Sequence, residues 1–145
     1  MRKFALILFV SSLVAVAVGA SWSSGANPAE ISRGQYLVEG VGMCADCHSP
    51  RNERGEFVRA RWLQGGPLDF KPAHPMPAWT DVAPPIAGLP GWKDEEVVRL
   101  LSTGMSPNGQ PLRPPMPSYR MTEEDAKAVV AYLKSLETVT GSASR

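Results

Sequence analysis

Residues 43–50 read MCADCHSP, and this stretch contains the only two cysteines of the chain, Cys44 and Cys47. His48 follows the second cysteine directly and is one of only two histidines among the 145 residues. Two thiols and an imidazole within five residues can serve redox, metal-binding or cofactor-attachment chemistry. The rest of the sequence is interpreted differently under each of these three chemistries.

Most uses of such a cysteine pair fit this sequence poorly. A thioredoxin-type redox pair requires a βαβ setting, and no strand pattern flanks the motif. A structural zinc site needs four ligands, and apart from the motif itself only His74 is available, while His48 lies too close to Cys47 to share a tetrahedral site. A disulfide would close a four-residue ring, which adds little stability. The C-x-x-C-H spacing instead favours covalent attachment of one c-type haem, with His48 as the proximal ligand of the iron.

The N-terminal segment predicts export from the cytoplasm. Residues 1–20 read MRKFALILFVSSLVAVAVGA, in which Arg2 and Lys3 precede an apolar run that ends in small residues. This pattern is typical of a signal peptide, and we expect cleavage after Ala20 or after Ala26. An uncleaved membrane anchor stays open as an alternative, because the apolar run is close to the shortest length that spans a bilayer. Either outcome predicts a periplasmic protein, which agrees with haem attachment after translocation.

The charge balance excludes nucleic acid as a partner. The whole chain carries 15 basic and 14 acidic side chains, and without residues 1–20 the balance is 13 basic and 14 acidic. A mature net charge of −1 provides no basic field for a phosphate backbone. About 125 residues then remain, which suffices for one domain with a small core.

The remaining sequence divides into one domain with flexible ends. We expect a flexible lead-in at residues 21–28, the domain at residues 29–137 and a flexible tail at residues 138–145. Within the domain, residues 50–92 contain eight prolines and show no lasting hydrophobic period. Loops of this length are uncommon unless they wrap something, and a haem would supply the core that the composition lacks.

Three segments have apolar residues at helical spacing. They are residues 29–42, residues 94–103 and the segment from Thr122, a predicted N-cap, to Leu136. Gly34 lies inside the first segment, where a glycine costs about 1 kcal/mol relative to alanine. A glycine there indicates that another backbone passes close to it. No coherent set of strands is indicated, so the domain is predicted to be mostly α.

The distal ligand of the iron decides what a haem protein can do. Met116 is bracketed by Pro114, Pro115 and Pro117, and this stiff backbone suits the presentation of a thioether to an apolar pocket. We therefore predict Met116 as the distal ligand, with His74 as the rival. The other methionines outside residues 1–20 are Met43, Met76, Met105 and Met121.

Three stretches of the sequence are specific enough to carry a family resemblance. They are GQYLVEGVGMCADCHSPRN at 34–52, APPIAGLPGW at 83–92 and LRPPMPSYRMTEEDAKAVVAYLKSL at 112–136. Together they resemble the single-haem class I cytochrome c family over about residues 30–137. Within that family the sequence is similar to bacterial periplasmic cytochromes and to the cytochrome modules that accompany membrane-bound dehydrogenases.

The resemblance implies a class I cytochrome c fold, mostly α, whose first and last helices cross around a covalent haem between long Pro-rich loops. On this match Gly34 is the small residue at the helix crossing and Tyr132 is the aromatic residue that packs on it. The family's G-P-N-L stretch corresponds to Ala83–Ile86, so the Pro84 carbonyl is expected to accept a hydrogen bond from His48 Nδ1. Here a second proline replaces the family's asparagine, and residues 51–82 form an extra loop of unknown purpose.

The implied cofactor site has thioether bonds from two cysteines, two axial ligands and one supporting carbonyl. In this order the residues are Cys44, Cys47, His48, Met116 and Pro84.

The implied function is one-electron transfer and not catalysis, since ligation by both His48 and Met116 leaves no position for a substrate. The expected donor is a membrane-bound dehydrogenase or cytochrome complex, and the expected acceptor is an oxidase. Membrane association would come through the N-terminal segment.

The alternative function is that of a haem-based gas sensor or small haem enzyme in which the distal ligand is displaced. A basic cluster near the motif is either a solvated loop or a docking patch for an acidic partner. Its members are Arg51, Arg54, Arg59 and Arg61.

Overall fold

The computed structural model describes residues 27–136. Four α-helices follow one another in this segment: α1 (Pro28–Gln35), α2 (Cys44–His48), α3 (Asp94–Thr103) and α4 (Glu123–Ser135). A π-helical segment (Tyr36–Val41) continues α1, and a 3-10 turn spans Arg59–Arg61. Two short strands, β1 (Gly66–Pro67) and β2 (Val82–Ala83), pair antiparallel. The described segment is therefore mostly helical, as predicted.

Several predictions concern residues outside the described segment. The signal peptide or anchor at residues 1–20, most of the lead-in and the tail at residues 138–145 all lie there. Between residues 27 and 136, no helix is long and apolar enough to cross a bilayer.

Local signals set the bounds of α3 and α4. Helix α3 spans the predicted residues and ends at Gly104, whose φ of 72° is a left-handed conformation that glycine adopts without steric cost. Helix α4 begins after Thr122, whose hydroxyl accepts a hydrogen bond from the Asp125 amide at 3.1 Å. The predicted N-cap is therefore confirmed.

The first helix departs from the regular α-helix that the sequence predicts at residues 29–42. It changes to π-helical geometry at Tyr36, and the Gly42 amide donates to the Leu37 carbonyl five residues earlier, at 2.7 Å. The wider turn rotates the chain just before the cysteine motif. Single π turns of this kind are frequent near functional sites.

The core lies where α4 packs against α1 and α3. A Cβ atom at Gly34 would lie 1.9 Å from the Ala128 carbonyl oxygen and 2.7 Å from Tyr132 Cβ. The expected close approach of another backbone at Gly34, with Tyr132 beside it, is therefore confirmed. Buried apolar residues from the π-helical segment, the loops, α3 and α4 complete this core. They include Leu37, Val38, Leu63, Ala87, Leu89, Val97, Leu100, Leu101, Ala126, Val129, Val130 and Leu133.

Residues 50–92 contain more regular structure than the sequence predicts. Strands β1 and β2 close a hairpin-like excursion, residues 66–83, which we call the strap. The Leu68 amide donates to the Asp81 carbonyl at 2.9 Å and extends the pairing by one bond. The sequence indicated no coherent set of strands, and strands of only two residues leave no alternating pattern to detect.

Candidate haem-attachment site

The short helix α2 carries both cysteines and His48. Cys44 and Cys47 are half-buried free thiols, so the disulfide alternative is not formed. Burial raises the pKa of the Cys44 thiol to about 11, and burial also raises the pKa of Cys47. Both sulfurs are therefore neutral near pH 7. Among residues 27–136, no three His, Cys, Asp or Glu side chains converge to hold a metal ion.

His48 is oriented by one hydrogen bond. Its side chain is buried, and Nδ1 lies 2.7 Å from the Pro84 carbonyl oxygen, as the family resemblance implied. A carbonyl oxygen only accepts hydrogen bonds, so Nδ1 carries the proton and Nε2 keeps its lone pair. Burial lowers the pKa of His48, and the bond to Pro84 opposes this effect. The ring is thus neutral near pH 7, fixed, and ready to ligate a metal through Nε2.

Gly65 positions the Pro84 carbonyl. It has a φ of +74°, and a Cβ atom there would lie 2.6 Å from the Ala83 carbonyl oxygen and 2.7 Å from the Pro84 carbonyl carbon. The Gly65 amide also donates to the His48 carbonyl at 2.7 Å. Gly65 therefore keeps the two chain segments of the His48–Pro84 pair together.

We predict that Gly65→Ala weakens the His48–Pro84 hydrogen bond. The added methyl group must displace Pro84, and this clash should lower the free energy of unfolding of the holoprotein by about 1–3 kcal/mol. The left-handed conformation of the alanine should cost about 1 kcal/mol more. Gly55→Ala is the matched control, because Gly55 has a φ of +79° but nothing within 4 Å of an added Cβ. Thermal unfolding measures stability, and the NMR signal of the His48 Nδ1 proton reports the bond. Equal effects of the two substitutions would contradict this role of Gly65.

Met116 lies in the Met116 loop, which we define as residues 111–119 between α3 and α4. Its side chain is half-buried, and its amide donates to the Arg113 carbonyl at 3.1 Å. Tyr119 ends the loop, and its hydroxyl donates to the Gly42 carbonyl at 2.7 Å. Tyr119 therefore fastens the loop of the predicted distal ligand to the chain just before the cysteine motif.

Three of the other potential distal ligands are exposed to solvent. His74 is exposed, and the side chains of Met43 and Met76 are 58% and 46% exposed. Met121 packs against the hydrophobic core, in agreement with a packing role. Met43 directly precedes Cys44, and Met105 is half-buried like Met116. Met116 lies in the loop that the bond from Tyr119 to Gly42 joins to the chain just before the cysteine motif.

Trp79 provides a test of whether the described residues fit a haem. Its indole Nε1 is buried without a hydrogen-bond partner among them, and a buried donor without a partner is costly. The Trp79 carbonyl accepts from Arg113, so this indole belongs to a segment that contacts the Met116 loop. A haem carries two carboxylates that accept such a bond, and it bonds to two thiols and one imidazole. The side chains present therefore fit a covalently bound haem.

The arginine cluster is only partly a set of free charges. Arg51 lies 3.9 Å from the Phe57 ring centroid and pairs with Asp46 at 3.2 Å, while Arg59 lies 4.3 Å from the Trp62 ring centroid. These two guanidinium groups stabilise the loop through cation–π contacts. Arg54 and Arg61 are exposed. The structure thus gives half of the cluster a packing role that the sequence did not indicate.

Sequence reasoning did not single out three of the residues that shape this site. They are Gly65, Trp79 and Tyr119. The Gly65–Gly66 pair signals a turn, but it does not indicate which backbone segment lies against Gly65. Tyr119 and its partner Gly42 are 77 residues apart, so no local pattern could reveal their bond.

The comparison with known families agrees with this geometry. The family model described as cytochrome c matches residues 31–137, which covers most of the chain and nearly all of its described part. The chain belongs to the cytochrome c family. Cytochrome c domains carry electrons, and membership implies a covalently bound haem c. The predicted family and fold class are confirmed.

The curated relatives are larger proteins. A diheme cytochrome c-type protein of Cereibacter sphaeroides is 34% identical over 131 residues, which cover 86% of this chain and 42% of the relative. A nicotinate dehydrogenase component of Pseudomonas putida is 35% identical, and the match covers 75% of this chain and 9% of the relative. The cytochrome c subunit of the quinone alcohol dehydrogenase of Gluconobacter oxydans is 30% identical, and the match covers 76% of this chain and 24% of the relative. The chain therefore spans less than half of the length of each of these relatives.

Proposed function

We propose that this chain is a periplasmic electron carrier with one covalently attached haem c, ligated by His48 and Met116. The observation that carries the proposal is the 2.7 Å contact between His48 Nδ1 and the Pro84 carbonyl, which leaves Nε2 free to bind iron. A single C-x-x-C-H motif in the sequence supports the count of one haem. The apolar N-terminal segment supports export.

The residues of the chain would do three things in this function. Cys44 and Cys47 would hold the cofactor by thioether bonds. Burial keeps the His48 ring neutral, and the hydrogen bond to the Pro84 carbonyl holds it in one orientation. Met116 would supply the second protein ligand of the bound haem, so that the site would have no room for a substrate. A bound haem supplies an iron that changes by one electron, and thioether ligation raises its potential.

The names of the relatives support a dehydrogenase as the electron donor. Components of nicotinate, alcohol and fructose dehydrogenases are among the proteins to which the chain is similar. We propose that a membrane-bound dehydrogenase or cytochrome complex reduces this chain and that an oxidase reoxidises it. In this role the chain itself is not an enzyme.

The proposal is tested by the visible spectrum of the reduced holoprotein, produced with the haem-attachment machinery, before and after carbon monoxide. Closure of both axial positions predicts a low-spin spectrum that carbon monoxide does not change. A shifted spectrum would indicate an open or displaceable distal position, and would favour a gas sensor or small haem enzyme instead. Alkaline pyridine treatment of the same sample counts the covalent haems per chain, and the expected value is one.

A further inference from the structure

The strap makes its contacts with the Met116 loop through a segment of three residues. Arg113 Nε donates to the Ala78 carbonyl at 3.1 Å, and Arg113 Nη2 donates to the Trp79 carbonyl at 3.1 Å. In the opposite direction, the Thr80 amide donates to the Pro114 carbonyl at 2.9 Å. Three hydrogen bonds therefore join segments that are more than 30 residues apart in sequence.

These contacts reach Met116 directly along the backbone. The Met116 amide donates to the Arg113 carbonyl at 3.1 Å, so Arg113 and Met116 form one tight turn. A planar guanidinium that bonds to two successive carbonyls fixes both the position and the direction of this turn. Movement of Met116 away from its site requires these bonds to break or to move with it.

The strap itself is internally braced. Strands β1 and β2 close its base, and the Trp79 amide donates to the Met76 carbonyl at 2.9 Å near its far end. The Phe70 and Trp79 rings meet edge to face, with centroids 5.7 Å apart. A strap with these internal contacts can hold the Met116 loop in place, whereas a flexible strap would move together with the loop.

The base of the strap leads to the proximal side of the site. Strand β2 ends at Ala83, and the next residue is Pro84, whose carbonyl orients His48. One continuous segment, residues 78–84, therefore supports the predicted distal ligand at one end and the proximal ligand at the other. The strap, which forms the second part of the extra loop at residues 51–82, therefore lies between the two predicted ligands in the chain of contacts.

We infer that the strap is a clamp on the distal ligand and that Arg113 is the positioning residue that keeps Met116 in place. This inference rests on the proposed function, because it assumes that Met116 is the ligand. The clamp lowers the fraction of molecules in which Met116 has left its position. It thereby protects the site from small external ligands without contacting them.

The test is the binding of imidazole to the ferric holoprotein of the wild type and of Arg113→Ala. Loss of the two Arg113 bonds should raise the apparent affinity for imidazole about tenfold, which corresponds to about 1.4 kcal/mol and to the usual contribution of one or two hydrogen bonds. Arg113→Lys keeps one donor and should recover part of the effect. In the wild type the Thr80 amide should exchange slowly with solvent, and in Arg113→Ala it should exchange faster.

Arg99→Ala is the matched control. Arg99 likewise donates to two successive carbonyls, those of Ser106 and Pro107, at 3.4 Å each, but it does so through one nitrogen and in a different loop. The Arg99→Ala substitution should lower the stability of the protein slightly and leave its affinity for imidazole unchanged. If Arg113→Ala binds imidazole like the wild type, or if Arg99→Ala gains the same affinity, the clamp is wrong.

Failure of the proposed function gives a different result. A wild type that already binds imidazole as readily as Met116→Ala does would show that Met116 is not the ligand, whatever Arg113 does. A closed wild type with an equally closed Arg113→Ala would overturn only the clamp.

Discussion

Replacement of Met116 by alanine is expected to convert a closed haem site into one that binds external ligands. Alanine has no donor atom, and the loop that carries it is tied at Arg113 and Tyr119, so another methionine cannot easily take its place. The reduced variant should bind carbon monoxide stoichiometrically, where the wild type shows no change in its spectrum. The measurement is a titration with carbon monoxide followed in the visible range.

The same substitution should lower the reduction potential. Thioether ligation favours ferrous iron, so its loss shifts the equilibrium towards the ferric state. A redox titration of wild type and Met116→Ala side by side measures this shift. The covalent haem content should stay at the wild-type level, because Cys44 and Cys47 are unchanged.

Two further variants show whether the effect is specific to Met116. Met76→Ala removes a thioether from an exposed position in the strap, and it should leave both carbon monoxide binding and potential unchanged. His74→Ala tests the rival ligand in the same way. A Met116→Ala protein that stays closed, together with a His74→Ala protein that opens, would reverse the assignment of the distal ligand.

The parts of the fold that the sequence predicted well depend on local interactions. Helix α3 is specified within ten residues by acidic residues in its first turn and Gly104 after its last. Thr122 caps α4 with a bond that spans three residues. The π-helical change at Tyr36 was not predicted, because apolar spacing does not distinguish a single wide turn from a regular one.

The candidate site was predictable only in part, because most of it is assembled from distant segments. The motif at Cys44–His48 is contiguous and could be identified directly. The bond from His48 to Pro84 spans 36 residues, and only the family resemblance pointed to it. The strap contacts of Arg113 span 34 and 35 residues and have no sequence signature, since any exposed carbonyl can accept from an arginine.

The second large effect is expected for Gly34→Ala, at the contact between α1 and α4. The added Cβ would lie 1.9 Å from the Ala128 carbonyl oxygen and 2.6 Å from its carbon, so the two helices must move apart. The opposing atoms belong to the backbone, and no side-chain change at Ala128 can remove them. We expect the free energy of unfolding to fall by about 3 kcal/mol or more. For a domain of this size this corresponds to a fall of roughly 10–20 °C in Tm.

Gly40→Ala separates this clash from the general effect of replacing a glycine. Gly40 lies in the π-helical segment that continues α1, is exposed, and would bring its Cβ no closer than 3.4 Å to the Tyr36 ring. Alanine is the better helix former by about 1 kcal/mol, so Gly40→Ala should be neutral or slightly stabilising. Thermal unfolding of the two holoproteins, followed by circular dichroism, gives the comparison. Similar melting temperatures would mean that α1 and α4 can separate at little cost, and the tight crossing would then not be what stabilises the haem-binding fold.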